Sequence, residues 1–179
     1  AAHEFVHQQL RQIDPQMVQQ TVQVARLEST HGLLCAPVIG YRAPLQECLK
    51  NGLVQALHGL DHPGIQSSLS EIQTWSGETK SRTILHTLQA LLQTLAAPEL
   101  AYRGLIIVFD ELGKPLEYAA NDPGQADVYL LQEIAELANR SSDIPMLFIG
   151  ILHQAFERYA ALLDSTTQRE WAKVQGRFE

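Results

Sequence analysis

Two unbroken apolar runs constrain the fold of this chain more than any other feature. The first, GLIIVFDE at positions 104–111, joins four aliphatic residues and a phenylalanine to two acidic residues, and the second, MLFIGIL, spans 146–152. Neither run alternates apolar with polar residues, as a strand with one face in water would. Continuous apolar strands are typical of parallel sheets that are covered on both faces. A third run, LLCAPVIGY at 33–41, also predicts a strand, although Pro37 removes one ladder donor.

Helical spacing of apolar residues fills the segments between these runs. A leucine stripe follows Pro44, a shorter stripe begins at Ile65, and a third runs from Ile84 to Leu95. Residues 112–126 predict a polar loop because they contain Gly, Pro and Asn-Asp-Pro-Gly turn residues. Two further helices are predicted, one over 127–139 with Asp127 as its cap, and one from His153 to about Gln175.

The segment that precedes the first strand also predicts helix. Residues 1–28 divide at Asp14-Pro15, and Pro15 suits a first helical position. In the second half, Val18, Val22 and Ala25 recur on one face. This segment therefore predicts two helical stretches before the first strand.

The order strand, helices, strand, helix, strand, helix predicts an α/β fold. We expect three layers, with a mostly parallel sheet and crossover helices on both faces, in a single domain over 1–179. The helical region 64–96 is long for one connection, so it is either part of a crossover or an insertion.

Composition excludes several classes of function. The formal net charge of -7 disfavours an autonomous nucleic-acid binder, which needs clustered Lys and Arg. The sequence has no signal peptide and no apolar run near the length of a membrane span, so a cytoplasmic protein without a membrane partner is expected. The two cysteines, Cys35 and Cys48, lie in apolar stretches and predict buried thiols.

Polar residues follow the predicted strands where parallel sheets carry their chemistry, beyond the carboxyl ends. They are Tyr41-Arg42, Asp110-Glu111 and His153-Gln154. An acidic residue at such an end can hold Mg²⁺, usually through water, while a second carboxylate can activate an attacking water. A helix cap or a solvated loop start would use the same residue types.

The apolar strand that ends in Asp110-Glu111 matches the Walker B pattern, and a polar residue follows the next strand. Over about residues 100–179, and more weakly over 33–60, the chain resembles the ATPase core of large bacterial AAA+/STAND-like proteins, which include components of defence systems. The resemblance implies an incomplete P-loop NTPase-like fold with ATP and Mg²⁺ as cofactors. It also implies Asp110 as the Mg²⁺-associated acid and Glu111 as the water-activating base.

The same resemblance implies roles for several other residues. A sensor, which is a polar side chain that contacts the γ-phosphate or the attacking water, would be Gln154 or His153. Gln154 is preferred because an amide donates and accepts at any pH. Lys114 would approach phosphate. In a homo-oligomer, an arginine finger would act on a neighbouring subunit, and the candidates are Arg158, Arg169 and Arg177, with Arg177 preferred.

A phosphate-binding loop of the form G-x-x-x-x-G-K-[ST] does not occur in the 179 residues. The nearest string, WSGETKS at 75–81, has no glycine before its lysine and lies between predicted helices. We therefore expect the chain to be a piece of a longer polypeptide whose remaining parts supply this loop upstream. Alone, it should bind ATP weakly or not at all.

Two other readings remain open at the level of sequence. The chain could be a non-catalytic α/β scaffold or protein-interaction module in which Asp110-Glu111 is inert. It could also be a metal-dependent hydrolase or nuclease, which would need a third ligand such as Asp122 or Asp127.

Overall fold

A parallel three-stranded sheet organises the chain. The strands are β1 (His31–Ile39), β2 (Tyr102–Asp110) and β3 (Met146–Gly150), hydrogen-bonded in the order β1-β2-β3. They belong to a computed structural model that describes residues 31–121, 128–141, 143–161, 163 and 165–178. The predicted α/β class with a parallel sheet is confirmed. The predicted helices of residues 1–28 and the cap Asp127 lie outside the described residues.

Three helices connect β1 to β2, and each follows a leucine or isoleucine stripe of the sequence. They are α1 (Leu45–Leu57), α2 (Pro63–Gln73) and α3 (Ser81–Leu95). α1 packs on β1, α3 packs on β2, and α2 lies against both of these helices. The connection from β1 to β2 therefore contains the whole region 64–96.

The remaining helices follow the second and third strands. They are α4 (Gly113–Asn121), α5 (Tyr129–Arg140), α6 (Phe156–Tyr159) and α7 (Ser165–Gln175). α5 packs on β3 and α3, while α7 packs on α5 and α6. The described helices thus enclose a core between themselves and one face of the sheet.

The two faces of the sheet differ in burial. On the helix-covered face, most strand side chains are buried and Phe148 is partly buried; the buried ones are Leu34, Ala36, Val38, Leu105, Ile107, Phe109 and Met146. Side chains on the other face are exposed or half-buried, among them Cys35, Pro37, Ile149 and Val108. The prediction of two buried thiols was therefore wrong for Cys35, which is exposed, and correct for Cys48.

The polar loop predicted over 112–126 was wrong in its first part, since 113–121 form α4. Pro115 lies in the first helical turn, where its missing N–H is not needed. Leu112, Leu116 and Ala119 recur at helical spacing and are buried. Burial of this apolar stripe therefore outweighs the turn-forming residues in this segment.

The single helix predicted from His153 to Gln175 was also wrong, because α6 and α7 are separate. α7 begins at Ser165, and the sequence at this start is Asp164-Ser165-Thr166-Thr167. These residue types favour helix starts over helix interiors, since their side chains compete for backbone hydrogen bonds.

Candidate functional site

The carboxyl ends of all three strands meet at one edge of the sheet. Ile39 pairs with Asp110, and Phe109 pairs with Gly150, so the strands end nearly level. Beyond the end of β3, the Ile151 N–H donates to the Phe109 carbonyl at 2.9 Å, and Leu112 N–H donates to the Ile151 carbonyl at 3.1 Å. These bonds hold the segment after β3 against the turn after β2.

Glu111 occupies a backbone conformation that is uncommon for a residue with a side chain. Its φ is 55°, in the left-handed region. Its N–H donates to Asp110 Oδ1 at 2.9 Å, and its carbonyl accepts from Lys114 N–H at 2.9 Å, which starts α4. Strained positions of this kind cost of order 1–3 kcal/mol and cluster at functional sites.

Gly40 allows β1 to approach this turn closely. Its N–H donates to the Asp110 carbonyl at 2.8 Å, and a Cβ at this position would collide with the carbonyl oxygen of Glu111. Only glycine fits such a close backbone approach. Sequence reasoning missed Gly40, although a glycine directly after a predicted strand, beside the candidate pair Tyr41-Arg42, was a signal.

The Glu111 carboxylate contacts the His153 imidazole across the edge of the sheet. The distance between Glu111 Oε1 and His153 Nε2 is 2.8 Å, and the side chains are 34% and 68% exposed. The imidazole can donate from Nε2 in its imidazolium form or in one neutral tautomer. The structure thus brings together two predicted site residues that lie 42 positions apart.

Other predicted residues lie at or near the same edge without joining this contact. Asp110 and Gln154 are exposed, and Lys114 is half-buried in the first turn of α4. Arg42 pairs with Glu117 of α4 at 3.0 Å, an ion pair that sequence reasoning missed because α4 had been predicted as loop.

The candidate finger arginines lie in the C-terminal helices or directly after them. Arg158 and Arg169 are exposed on α6 and α7. The guanidinium of Arg177 lies 3.6 Å from the carboxylate of Glu136 on α5. An exposed ion pair contributes about 0–1 kcal/mol to stability, so Arg177 would exchange Glu136 for a stronger partner at little cost.

The acidic pair suits Mg²⁺ that is bound together with phosphates better than Mg²⁺ that is held by protein ligands alone. Within the described part of the chain, no three His, Cys, Asp or Glu side chains converge as a metal site. Mg²⁺ commonly uses one or two carboxylates, several waters and substrate phosphates. The exposed carboxylate of Asp110 meets that requirement. The alternative ligands Asp122 and Asp127 lie outside the described residues.

Two further findings bear on classification. In the described ranges, no helix has both the length and the apolar character needed to cross a bilayer. No protein-family model, curated protein or solved structure matches the chain, so similarity assigns it to no family.

Proposed function

We propose that Asp110, Glu111 and His153 form the catalytic edge of an ATP-hydrolysing domain of the P-loop, AAA+/STAND-like class. The phosphate-binding loop would come from polypeptide outside these 179 residues. The observation that carries the proposal is the 2.8 Å contact between Glu111 and His153 at the carboxyl ends of neighbouring parallel strands. Open parallel sheets bind their ligands at this edge.

Glu111 would act as the general base. Its Oε1 accepts from His153 Nε2, and this bond fixes the carboxylate while Oε2 is left for the attacking water. The water gives its proton to Glu111, its oxygen bonds the γ-phosphorus, and the bond from the γ-phosphorus to the bridging oxygen breaks. His153 would therefore position the base, whereas the sequence had favoured Gln154 over His153 as the sensor.

Asp110 would hold Mg²⁺ through water. The ion, bound together with ATP, would neutralise charge on the phosphates. Asp110 Oδ1 accepts from the Glu111 N–H, which supports separate roles for the two acidic side chains.

The test is steady-state ATP hydrolysis by the natural full-length polypeptide, comparing wild type with Glu111→Gln. The substitution keeps the shape of the side chain and removes the base, so turnover should fall about 10²–10⁴-fold while ATP binding persists. Glu117→Gln is the matched control, because it removes one carboxylate at the same edge without touching Glu111. Equal turnover in all three proteins would refute the proposal and favour a non-catalytic scaffold.

A second pair of variants separates the two sensor candidates. His153→Ala should lower kcat with little change in KM, because the contact acts on the base rather than on ATP binding. Gln154→Ala should leave both constants near wild type. The reverse ranking would return the sensor role to Gln154.

A further inference from the structure

The contact between Glu111 and His153 depends on the two backbone segments that carry these residues. The side chains are 34% and 68% exposed, so their own packing fixes them only in part. A functional pair keeps its geometry when the supporting segments are themselves held together. The bond from Leu112 N–H to the Ile151 carbonyl, at 3.1 Å, provides this support before His153 but not after it.

Tyr159 provides a second support, after His153. It is the last residue of α6 and is buried, and its ring lies against Gly113, the first residue of α4. A Cβ at Gly113 would collide with Tyr159 Oη and would lie 2.6 Å from Cζ and 2.8 Å from Cε1. A residue with a side chain therefore does not fit at this position, and glycine allows the close approach of the ring.

Contacts with α7 hold α6 in place, and with it the ring of Tyr159. The ring centroids of Phe156 in α6 and Trp171 in α7 are 5.8 Å apart, and both side chains are buried. Gln175 Nε2 donates to Glu157 Oε1 at 2.8 Å, and α7 also packs on α5. Close-packed interiors have low compressibility, so a ring that is supported in this way resists displacement. The position of α6 therefore constrains the start of α4.

We propose that Tyr159 is a positioning residue for the Glu111–His153 pair, and that Gly113 is required because it admits the ring. Gly113 lies within the turn that Lys114 N–H closes onto the Glu111 carbonyl, so the ring sets the place of this turn. Together with the backbone bond before His153, the ring holds the contact from both sides. The effect on catalysis rests on the proposed function, whereas the effect on the geometry of the pair does not.

The test exchanges volume between the two positions and observes His153 directly. Gly113→Ala adds a Cβ that meets Tyr159 Oη, Cζ and Cε1, and Tyr159→Leu removes all three of these atoms. In NMR spectra of the imidazole nitrogens, recorded on the full chain without nucleotide, Gly113→Ala should shift the His153 Nε2 resonance in the same direction as Glu111→Gln, because both disturb the contact. Gly113→Ala/Tyr159→Leu should shift it back toward wild type. Gly32→Ala is the matched control, since its Cβ has no atom within 4 Å and should leave the resonance unchanged.

Steady-state ATP hydrolysis by the natural full-length polypeptide separates this inference from the proposed function. Gly113→Ala should lower kcat by up to about 10²-fold with little change in KM, and Tyr159→Leu in the same protein should recover part of the loss. A His153 resonance that does not move in Gly113→Ala would overturn the positioning role, whether or not the protein hydrolyses ATP. A shift that Tyr159→Leu does not reverse would also overturn it, since Gly113→Ala would then act by general disruption. A shift that is reversed, in a protein without ATP turnover, would sustain the positioning role and refute only the proposed function.

Discussion

At the scale of single residues, the candidate site depends on Glu111, whose backbone conformation favours glycine. Glu111 carries a left-handed φ of 55°, which glycine adopts without a Cβ penalty. The carboxylate at this position nevertheless reaches His153. A residue that keeps an unfavourable conformation while forming a specific polar contact is more readily explained by function than by folding.

We expect Glu111→Gly to be more stable than Glu111→Ala by about 1 kcal/mol, because both remove the contact with His153 and only glycine relieves the left-handed strain. Chemical denaturation of the two variants measures this difference.

The order should reverse at Glu117, which lies within α4, where glycine is less favourable than alanine by about 1 kcal/mol. If Glu111→Ala proved as stable as Glu111→Gly, the strain at this turn would be negligible.

At the scale of elements, the contact of α1 with β1 depends on a glycine inside the helix. A Cβ at Gly52 would lie 2.8 Å from the Pro37 carbonyl oxygen and 2.5 Å from Val38 Cγ2. Glycine is normally unfavourable in a helix interior, so its presence here reflects close packing of the helix on the strand. This contact also supports β1, and Gly40, directly after β1, lies against the backbone of Glu111.

Gly52→Ala should therefore lower the free energy of unfolding by about 1–3 kcal/mol, although it raises helix propensity. The cause is overpacking against backbone that cannot move without shifting β1. Thermal or urea unfolding would show the effect.

Gln55→Ala is the control, since Gln55 is exposed on the same helix and its replacement should be neutral or mildly stabilising. A stabilised Gly52→Ala variant would mean that α1 can move away from β1 at little cost.

At the scale of the whole molecule, the hydrophobic core lies on one side of the sheet, and α1 packs on β1 within it. Cys48 is fully buried there, and its S–H donates to the Tyr41 carbonyl at 3.8 Å. Burial raises the pKa of the Cys48 thiol, and partial burial together with Cys48 and Glu47 raises the pKa of Tyr41. Both groups hold their protons to higher pH in the folded state than in the unfolded chain.

Stability should therefore fall as pH rises above about 8.5, the ordinary value for cysteine, because the unfolded chain then binds fewer protons than the folded one. Below that pH the contribution is fully present. Urea unfolding measured between pH 7.5 and 10 should show a free energy of unfolding that falls with pH. The fall should be less steep in Cys48→Ala.

Leu49→Ala is the matched control, because it opens a cavity next to the thiol and should lower stability without changing the slope. If the free energy of unfolding fell equally steeply with pH in wild type and Cys48→Ala, the pH dependence could not be assigned to Cys48.

The sequence by itself determined the local elements of this protein. Apolar runs without alternation predicted the strands, leucine stripes predicted α1 to α3, and the order of elements predicted a parallel sheet with Asp110-Glu111 and His153 at one edge. These inferences succeed because periodicity and strand direction are carried by neighbouring residues.

Tertiary structure alone decided which side chains meet and which surfaces stay exposed. Glu111 contacts His153, rather than only water, because the turn after β2 and the segment after β3 are hydrogen-bonded together. Cys35 is exposed because one-directional crossovers place the described helices on the opposite face. Both outcomes depend on contacts between residues that are distant in sequence, and local patterns do not encode such contacts.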